Sequence, residues 1–195
     1  MTVISNLYLI KADIFRILSW GFSYPDKKKL DELKIIISEL LEQEDLKKEY
    51  RQFLNQILSQ ANPDLVLPEY SRLFMKGTVP TTESYCCSKL NSTTDVAAFY
   101  NAFGMIPKPG DSPDSITYQL EFMALLLVKL SLAENEEQYS VTDDARKKFI
   151  KDHLDEFSLK FSEKLNEKNP VEFYRQLSIL LRLVVQDEAQ QFHSV

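Results

Sequence analysis

Glycine is nearly absent, with four residues in a chain of 195. That scarcity argues against sheets joined by tight turns and against a glycine loop cradling phosphate. Histidine is rarer still. The two present, His153 and His193, fall on separate predicted helices, and neither has a nearby nucleophile to activate. Cysteine is limited to the adjacent pair Cys86-Cys87. Neighbours rarely bond to each other, because a disulfide spans Cα atoms about 4.4–6.8 Å apart. Both are therefore expected as free thiols in a reducing compartment. No run of about 18 apolar residues exists, and the longest candidate, Phe122 to Leu132, is interrupted by Lys129. The opening Met1-Thr2-Val3-Ile4-Ser5-Asn6 lacks the basic head and unbroken apolar stretch of a secretory signal. Positive charge is also short. A net charge of −6 disfavours nucleic acid, whose phosphates are neutralised by Lys and Arg. The expectation is a cytoplasmic protein with no membrane span and no nucleic-acid partner.

What the chain does contain is helical periodicity. Leu7, Ile10, Ile14, Ile17, Leu18 and Phe22 repeat at helical spacing, and Gly21-Phe22-Ser23-Tyr24-Pro25 ends that segment. Residues 30–41 and 50–58 read as two further amphipathic helices, and 65–75 as a short fourth. From Gly77 to Thr93 the pattern fails, leaving a long loop with one short turn around 83–87. A helix over 95–103 follows, capped by Thr94 and stopped by Gly104. A second loop covers 105–111. Ser112 as N-cap and Pro113 at the first helical position predict a helix running to about Ala133. After a polar break at 134–139, Thr142 opens a helix with Phe149, Ile150, Leu154, Phe157, Phe161 and Leu165 inward. Asn169-Pro170-Val171-Glu172 starts the last helix. The fold class is all-α: a single domain, 1–195, built as a bundle of about eight helices with two long central loops.

The chemistry concentrates between Glu69 and Met123. Residues 63–123 hold four Lys/Arg against seven Asp/Glu, together with Tyr70, Phe74, Tyr85, Tyr100 and Phe103. Such an acidic, aromatic stretch suits a basic, apolar peptide. Simpler readings stand beside this one. Asp114 and Ser115 fit the first turn of a helix, where they satisfy free amides and the helix dipole. Glu121 fits the exposed position of an amphipathic helix, and the aromatics fit a core. Asp143-Asp144, followed by Lys147 and Lys148, reads as charge on a helix's first turn rather than a diphosphate motif. Asp152, Asp155 and Glu156 around His153 suggest either a carboxylate-rich metal site or, more simply, a solvated helix face.

Several blocks in order resemble the TorD-like family of redox-enzyme maturation chaperones, which includes the DmsD-like and NarJ-like (nitrate reductase delta subunit) proteins. Phe15-Arg16-Ile17-Leu18-Ser19 with Phe22-Ser23-Tyr24-Pro25 is similar to the family's first helix and its exit. Glu69-Tyr70-Ser71-Arg72-Leu73-Phe74, Pro80 and Glu83-Ser84-Tyr85 resemble its central block. Pro113-Asp114-Ser115-Ile116 with Leu120-Glu121-Phe122-Met123 resembles its most diagnostic motif. Phe149-Ile150-Lys151-Asp152-His153-Leu154 and Phe173-Tyr174-Arg175 resemble the closing helices. Two departures stand out: Ser115 occupies the family's usual histidine position, and Cys86-Cys87 lies where an aromatic often follows the tyrosine.

The resemblance implies a cytoplasmic chaperone that is not an enzyme and carries no cofactor or metal. Members bind the N-terminal leader of a molybdenum-cofactor oxidoreductase, often a twin-arginine signal, and hold the apoenzyme for cofactor insertion. The implied client-peptide site is Tyr70, Phe74, Glu83, Tyr85, Tyr100, Phe103, Pro113, Asp114, Ser115 and Glu121. Physically, the carboxylates Glu83, Asp114 and Glu121 would receive guanidinium groups, and the aromatics the leader's apolar core. The rival readings are a helical adaptor without leader binding and a metalloenzyme centred on His153. Long central loops are compatible with a monomer or with a dimer exchanging helices.

Overall fold

The computed structural model describes residues 3–190. Its first helix, α1 (Val3–Phe22), buries Ile10, Ile14, Phe15, Ile17 and Leu18. Those side chains face α7 (Ile116–Ser131), whose Leu120, Met123, Leu126 and Leu127 are equally buried. The two helices run antiparallel. Ser19 Oγ donates to the Thr117 carbonyl at one end and Ser5 Oγ to the Ser131 carbonyl at the other, each at 3.0 Å. This pair forms the centre of the bundle.

Around it lie α2 (Lys27–Leu41), α3 (Lys48–Gln60), α4 (Pro63–Tyr70), α5 (Glu83–Cys87) and α6 (Ser92–Phe103). After α7 come α8 (Glu136–Phe149), α9 (Asp155–Asn166) and α10 (Glu172–Gln190). Among the described residues there is no strand, only an isolated antiparallel bridge between Thr82 and Ser115. The all-α class is as the periodicity required. One buried apolar cluster runs from Ile10 to Val185.

Helix α10 packs on α1, α3 and α9. A buried ion network helps fix it: Arg146 of α8 binds Asp143 at 2.6 Å and also Glu188 of α10, which is reached by Lys11 of α1 as well. Next to it, Lys47 and Tyr50 of the α3 segment both bind Asp187. Asp143 therefore does not lie on a helix's first turn; it sits within α8 and is consumed by Arg146 and Lys147.

Several helix ends differ from the periodicity. The polar break expected over 134–139 is shorter and earlier: Asn135 ends it by capping α8, accepting the Gln138 amide at 2.9 Å, and Thr142 lies inside the helix. Ser115, not Ser112, caps α7, and α6 begins at Ser92 after Asn91 in a left-handed conformation, so Thr94 is not its cap. Gly104 does stop α6, at φ +78°.

Two helices carry an extra residue in one turn. The segment 65–75 divides into α4 and a π turn, Ser71–Met75, where the Lys76 amide reaches back five residues to the Ser71 carbonyl at 3.2 Å. The long helix expected over 142–165 is α8 and α9 joined by a second π turn, Ile150–Leu154, with the Asp155 amide on the Ile150 carbonyl. That division, together with the helical rather than loop conformation of α5, raises the expected eight helices to ten α-helical segments among the described residues.

At Gly21 of α1 a side chain has no room. An added Cβ would lie 2.7 Å from Leu177 Cδ1 of α10. Gly21→Val is expected to destabilise the fold by about 1–3 kcal/mol through overpacking, seen as a lower urea midpoint with an unchanged slope. An unaltered midpoint would mean that α10 gives way freely there.

Candidate client-binding site

The two central loops are tied together by their backbones. The Glu83 amide donates to the Asp114 carbonyl at 2.9 Å and the Ile116 amide to the Thr81 carbonyl at 2.8 Å, on either side of the Thr82–Ser115 bridge. Asp114, with no exposed surface, closes the same junction with its side chain. Its carboxylate accepts from the Ser84 amide at 2.9 Å, Ser92 Oγ at 3.1 Å and Ser112 Oγ at 2.5 Å. Burial pushes its pKa up, and these hydrogen bonds outweigh that and hold it below the ordinary range. The Tyr100 hydroxyl, on a side chain with no exposed surface, donates to the Pro113 carbonyl at 2.9 Å. The Pro113-Asp114-Ser115 motif is thus a structural knot in which Ser115 caps α7.

Glu83 lies beside it, 1% exposed. Lys89 Nζ donates to it at 2.9 Å, Gln119 Nε2 at 2.8 Å and His153 Nδ1 at 3.0 Å. A carboxylate only accepts, so this contact places the imidazole proton on Nδ1. Burial raises the Glu83 pKa, and the bonds from His153 and Lys89 more than offset that, leaving it below its ordinary value. His153 is buried at 3% exposure between the rings of Phe99 and Phe149. Asp152 and Glu156 are exposed and Asp155 partly so, as a solvated face requires, but His153 turns away from them and its ring faces Glu83. Among the described residues no group of three or more His, Cys, Asp and Glu side chains converges as a metal site; His193 lies outside the described residues.

The π turn explains how His153 arrives there. Lys89 Nζ bonds to the Asp152 carbonyl within that turn as well as to Glu83. The turn and the loop after α5 are therefore joined through one ammonium.

Above this cluster an open groove of about 950 Å³ separates α6 from α8. Asp95, Ala98, Phe99, Ala102 and Phe103 line one wall at spacings of three and four along α6. Asp144, Ala145 and Lys148 line the other, with Lys151, Asp152 and His153 from the π turn and Lys89 at the end. The alanines leave the space that larger side chains would fill. Ala102 and Phe103 also border a second hollow of about 860 Å³, where Leu132 and Val141 are exposed. Asp95, Asp144 and Asp152 are in no ion pair among those formed by the described residues.

The residues expected to bind a client are not gathered in one place. Tyr70 and Phe74 form a separate aromatic cluster, ring centroids 5.2 Å apart, with Tyr24, Phe22, Phe161 and Tyr174. Glu83, Tyr100, Pro113, Asp114 and Ser115 build the knot beneath the groove, and Phe103 lines the groove. Tyr85 is 82% exposed on α5, and Glu121 lies exposed on α7 near Arg16 and Trp20. Sequence reasoning missed Asp95, Phe99, Asp144 and Asp152. The stripe Asp95, Ala98, Phe99, Ala102, Phe103 at helical spacing was the available signal.

The class defined so far is an all-helical protein whose central loops are held by buried polar groups, with an open amphipathic groove between two helices. The chain belongs to the nitrate reductase delta subunit family, which matches residues 39–163, from the end of α2 into α9. This is a family of molybdoenzyme maturation chaperones rather than of catalysts. None of the curated proteins compared matches the chain. Among the described residues no helix is long and apolar enough to cross a membrane.

Because the folded Glu83 pKa lies below its ordinary 4.5, the unfolded chain binds more protons there on acidification. The stabilisation is complete above pH 4.5 and is lost as pH falls through the folded value. Glu83→Gln is expected to lower stability at neutral pH by about 1–3 kcal/mol and to flatten the acid limb of stability against pH. Urea titrations across that range would read both effects. An acid limb as steep as wild type would count against the cluster.

Proposed function

We propose that the whole chain, 1–195, acts as one cytoplasmic chaperone for a molybdenum-cofactor oxidoreductase. It binds the twin-arginine-type leader at the N-terminus of that enzyme's catalytic subunit and holds the apoenzyme for cofactor insertion, before export or assembly. It is not itself an enzyme. Family membership supports the maturation role, and the α6–α8 groove is the observation that carries the peptide-binding reading. A leader with a basic head and an apolar core needs an aromatic floor and unpaired carboxylates. Phe99 and Phe103 supply the floor; Asp95, Asp144 and Asp152 supply the charge.

Within this reading the ten residues of the expected site divide their labour. Phe103, Tyr85, Tyr70 and Glu121 contact the client directly. Glu83, Tyr100, Pro113, Asp114 and Ser115 hold the groove's floor and the loop carrying Tyr85, and Phe74 supports Tyr70. With Ser115 engaged in capping α7, binding needs no imidazole at that position.

Titration calorimetry with the cognate leader peptide tests this. Asp95→Asn combined with Asp144→Asn is expected to weaken binding about tenfold at low salt, and by less at high salt. Phe103→Ala is expected to weaken it by a similar factor that salt leaves unchanged, because apolar contact is lost. Unaltered affinity in both folded variants would remove the groove from the proposal. A client that co-purifies equally well after deletion of its leader would favour a helical adaptor instead.

A further inference from the structure

The connection between α5 and α6 is short and strained. Ser88 ends α5 in the left-handed region at φ +54°, and Asn91 opens α6 there at φ +68°. Asparagine tolerates that conformation; serine adopts it at a cost in backbone energy. Between them Leu90 is 88% exposed and adds nothing to the core. Lys89 points the other way. Its side chain, 30% exposed, borders the α6–α8 groove and turns inward to Glu83 Oε1 at 2.9 Å and to the Asp152 carbonyl. A single ammonium thus ties down a segment bounded by two left-handed residues.

That ammonium takes only part of what Glu83 offers. Gln119 and His153 make their closest contacts to Oε2, at 2.8 and 3.0 Å, while Lys89 holds Oε1. Withdrawing Lys89 leaves those two bonds in place and opens its path from the groove to a carboxylate that is 1% exposed. A buried charge is costly when unmet, so the lysine leaves in exchange for another cation. A guanidinium suits the position better. Its planar fork reaches two oxygens at once, and it sheds water more readily than an ammonium. Coming from outside the chain, it also makes no demand on the backbone at Ser88.

Resting on the leader-binding reading above, we propose that Lys89 is a built-in stand-in for an arginine of the client. In the free protein it fills a guanidinium subsite formed by Glu83 Oε1 and the Asp152 carbonyl. An arginine of the leader's basic head enters from the Lys89 end of the groove, takes both acceptors and expels the lysine to solvent. Segment 88–91 then lifts, and Ser88 relaxes toward ordinary backbone geometry. One cation replaces another, so Glu83 is never left unmet. Because a rival cation must be displaced, the subsite selects arginine over lysine in the client.

Amine labelling of the full chain reads the exchange directly. A brief pulse of acetic anhydride acetylates free amines, and mass spectrometry compares Lys89 with Lys148 and Lys151 of the same groove. The probe is a synthetic peptide with paired arginines ahead of a leucine-rich stretch, its binding followed by calorimetry. At saturation, labelling of Lys89 is expected to rise severalfold while Lys148 and Lys151 show no such rise. The same peptide with lysines in place of the arginines should leave Lys89 protected. Independently, Lys89→Met removes the competitor and should tighten peptide binding by about tenfold, a direction that a merely structural lysine would not give. Lys148→Met makes the same change of charge away from the subsite and should tighten it much less. Circular dichroism checks each fold; should Lys89→Met unfold, labelling of the unaltered chain decides. A bound peptide that leaves Lys89 protected, or a gain from Lys89→Met no larger than from Lys148→Met, would overturn the stand-in and leave the groove reading in place. A peptide that fails to bind at all would overturn both.

Discussion

Two buried carboxylates, Glu83 and Asp114, set the terms on which the middle of this protein folds. A charge removed from water must be met by donors that are already in place. Here the donors come from both central loops, from α7 and from the π turn before α9: Ser84, Ser92 and Ser112 for one group, Lys89, Gln119 and His153 for the other. Neither loop can leave without stranding a charge. What would otherwise be long unstructured connections become a fixed floor, and α6 is held at a distance from α8 that leaves a groove open.

This arrangement separates the groove's lining from the residues that support it. The Pro113-Asp114-Ser115 block spends its polar atoms inward, where it ties down α6 and the segment bearing Tyr85. The groove is lined by residues of ordinary type, alanine, phenylalanine, aspartate and lysine, on an otherwise regular helix. That block and the lining of the groove thus lie on different residues.

The all-α class and most helix cores were legible in the sequence because apolar spacing records burial directly: Ile10, Ile14, Ile17 and Leu18 had one face to offer and it met α7. Gly104 announced its own left-handed stop. Helix starts were harder, since Ser112 and Ser115, or Thr94 and Asn91, offer similar capping chemistry, and only tertiary bonds decide between them. The burial of His153 and Asp143 was not legible, as each lies among charges that look solvated until a partner distant in sequence, Glu83 or Glu188, arrives. The groove was missed because its lining mixes alanine, phenylalanine and charged residues from separate segments, so no single apolar stripe marks it.

The π turn at 150–154 has a consequence for how the chain tolerates change in length. One residue more than a regular turn rotates everything after it by about 100°. The faces of α8 and α9 are therefore out of phase by design of chain length, not of composition. Deleting a single residue there would restore an unbroken helical ladder and swing His153 off its carboxylate. A substitution at the same place would leave that phase intact. The counting of residues between Phe149 and Asp155, more than their identity, is what aims the histidine inward.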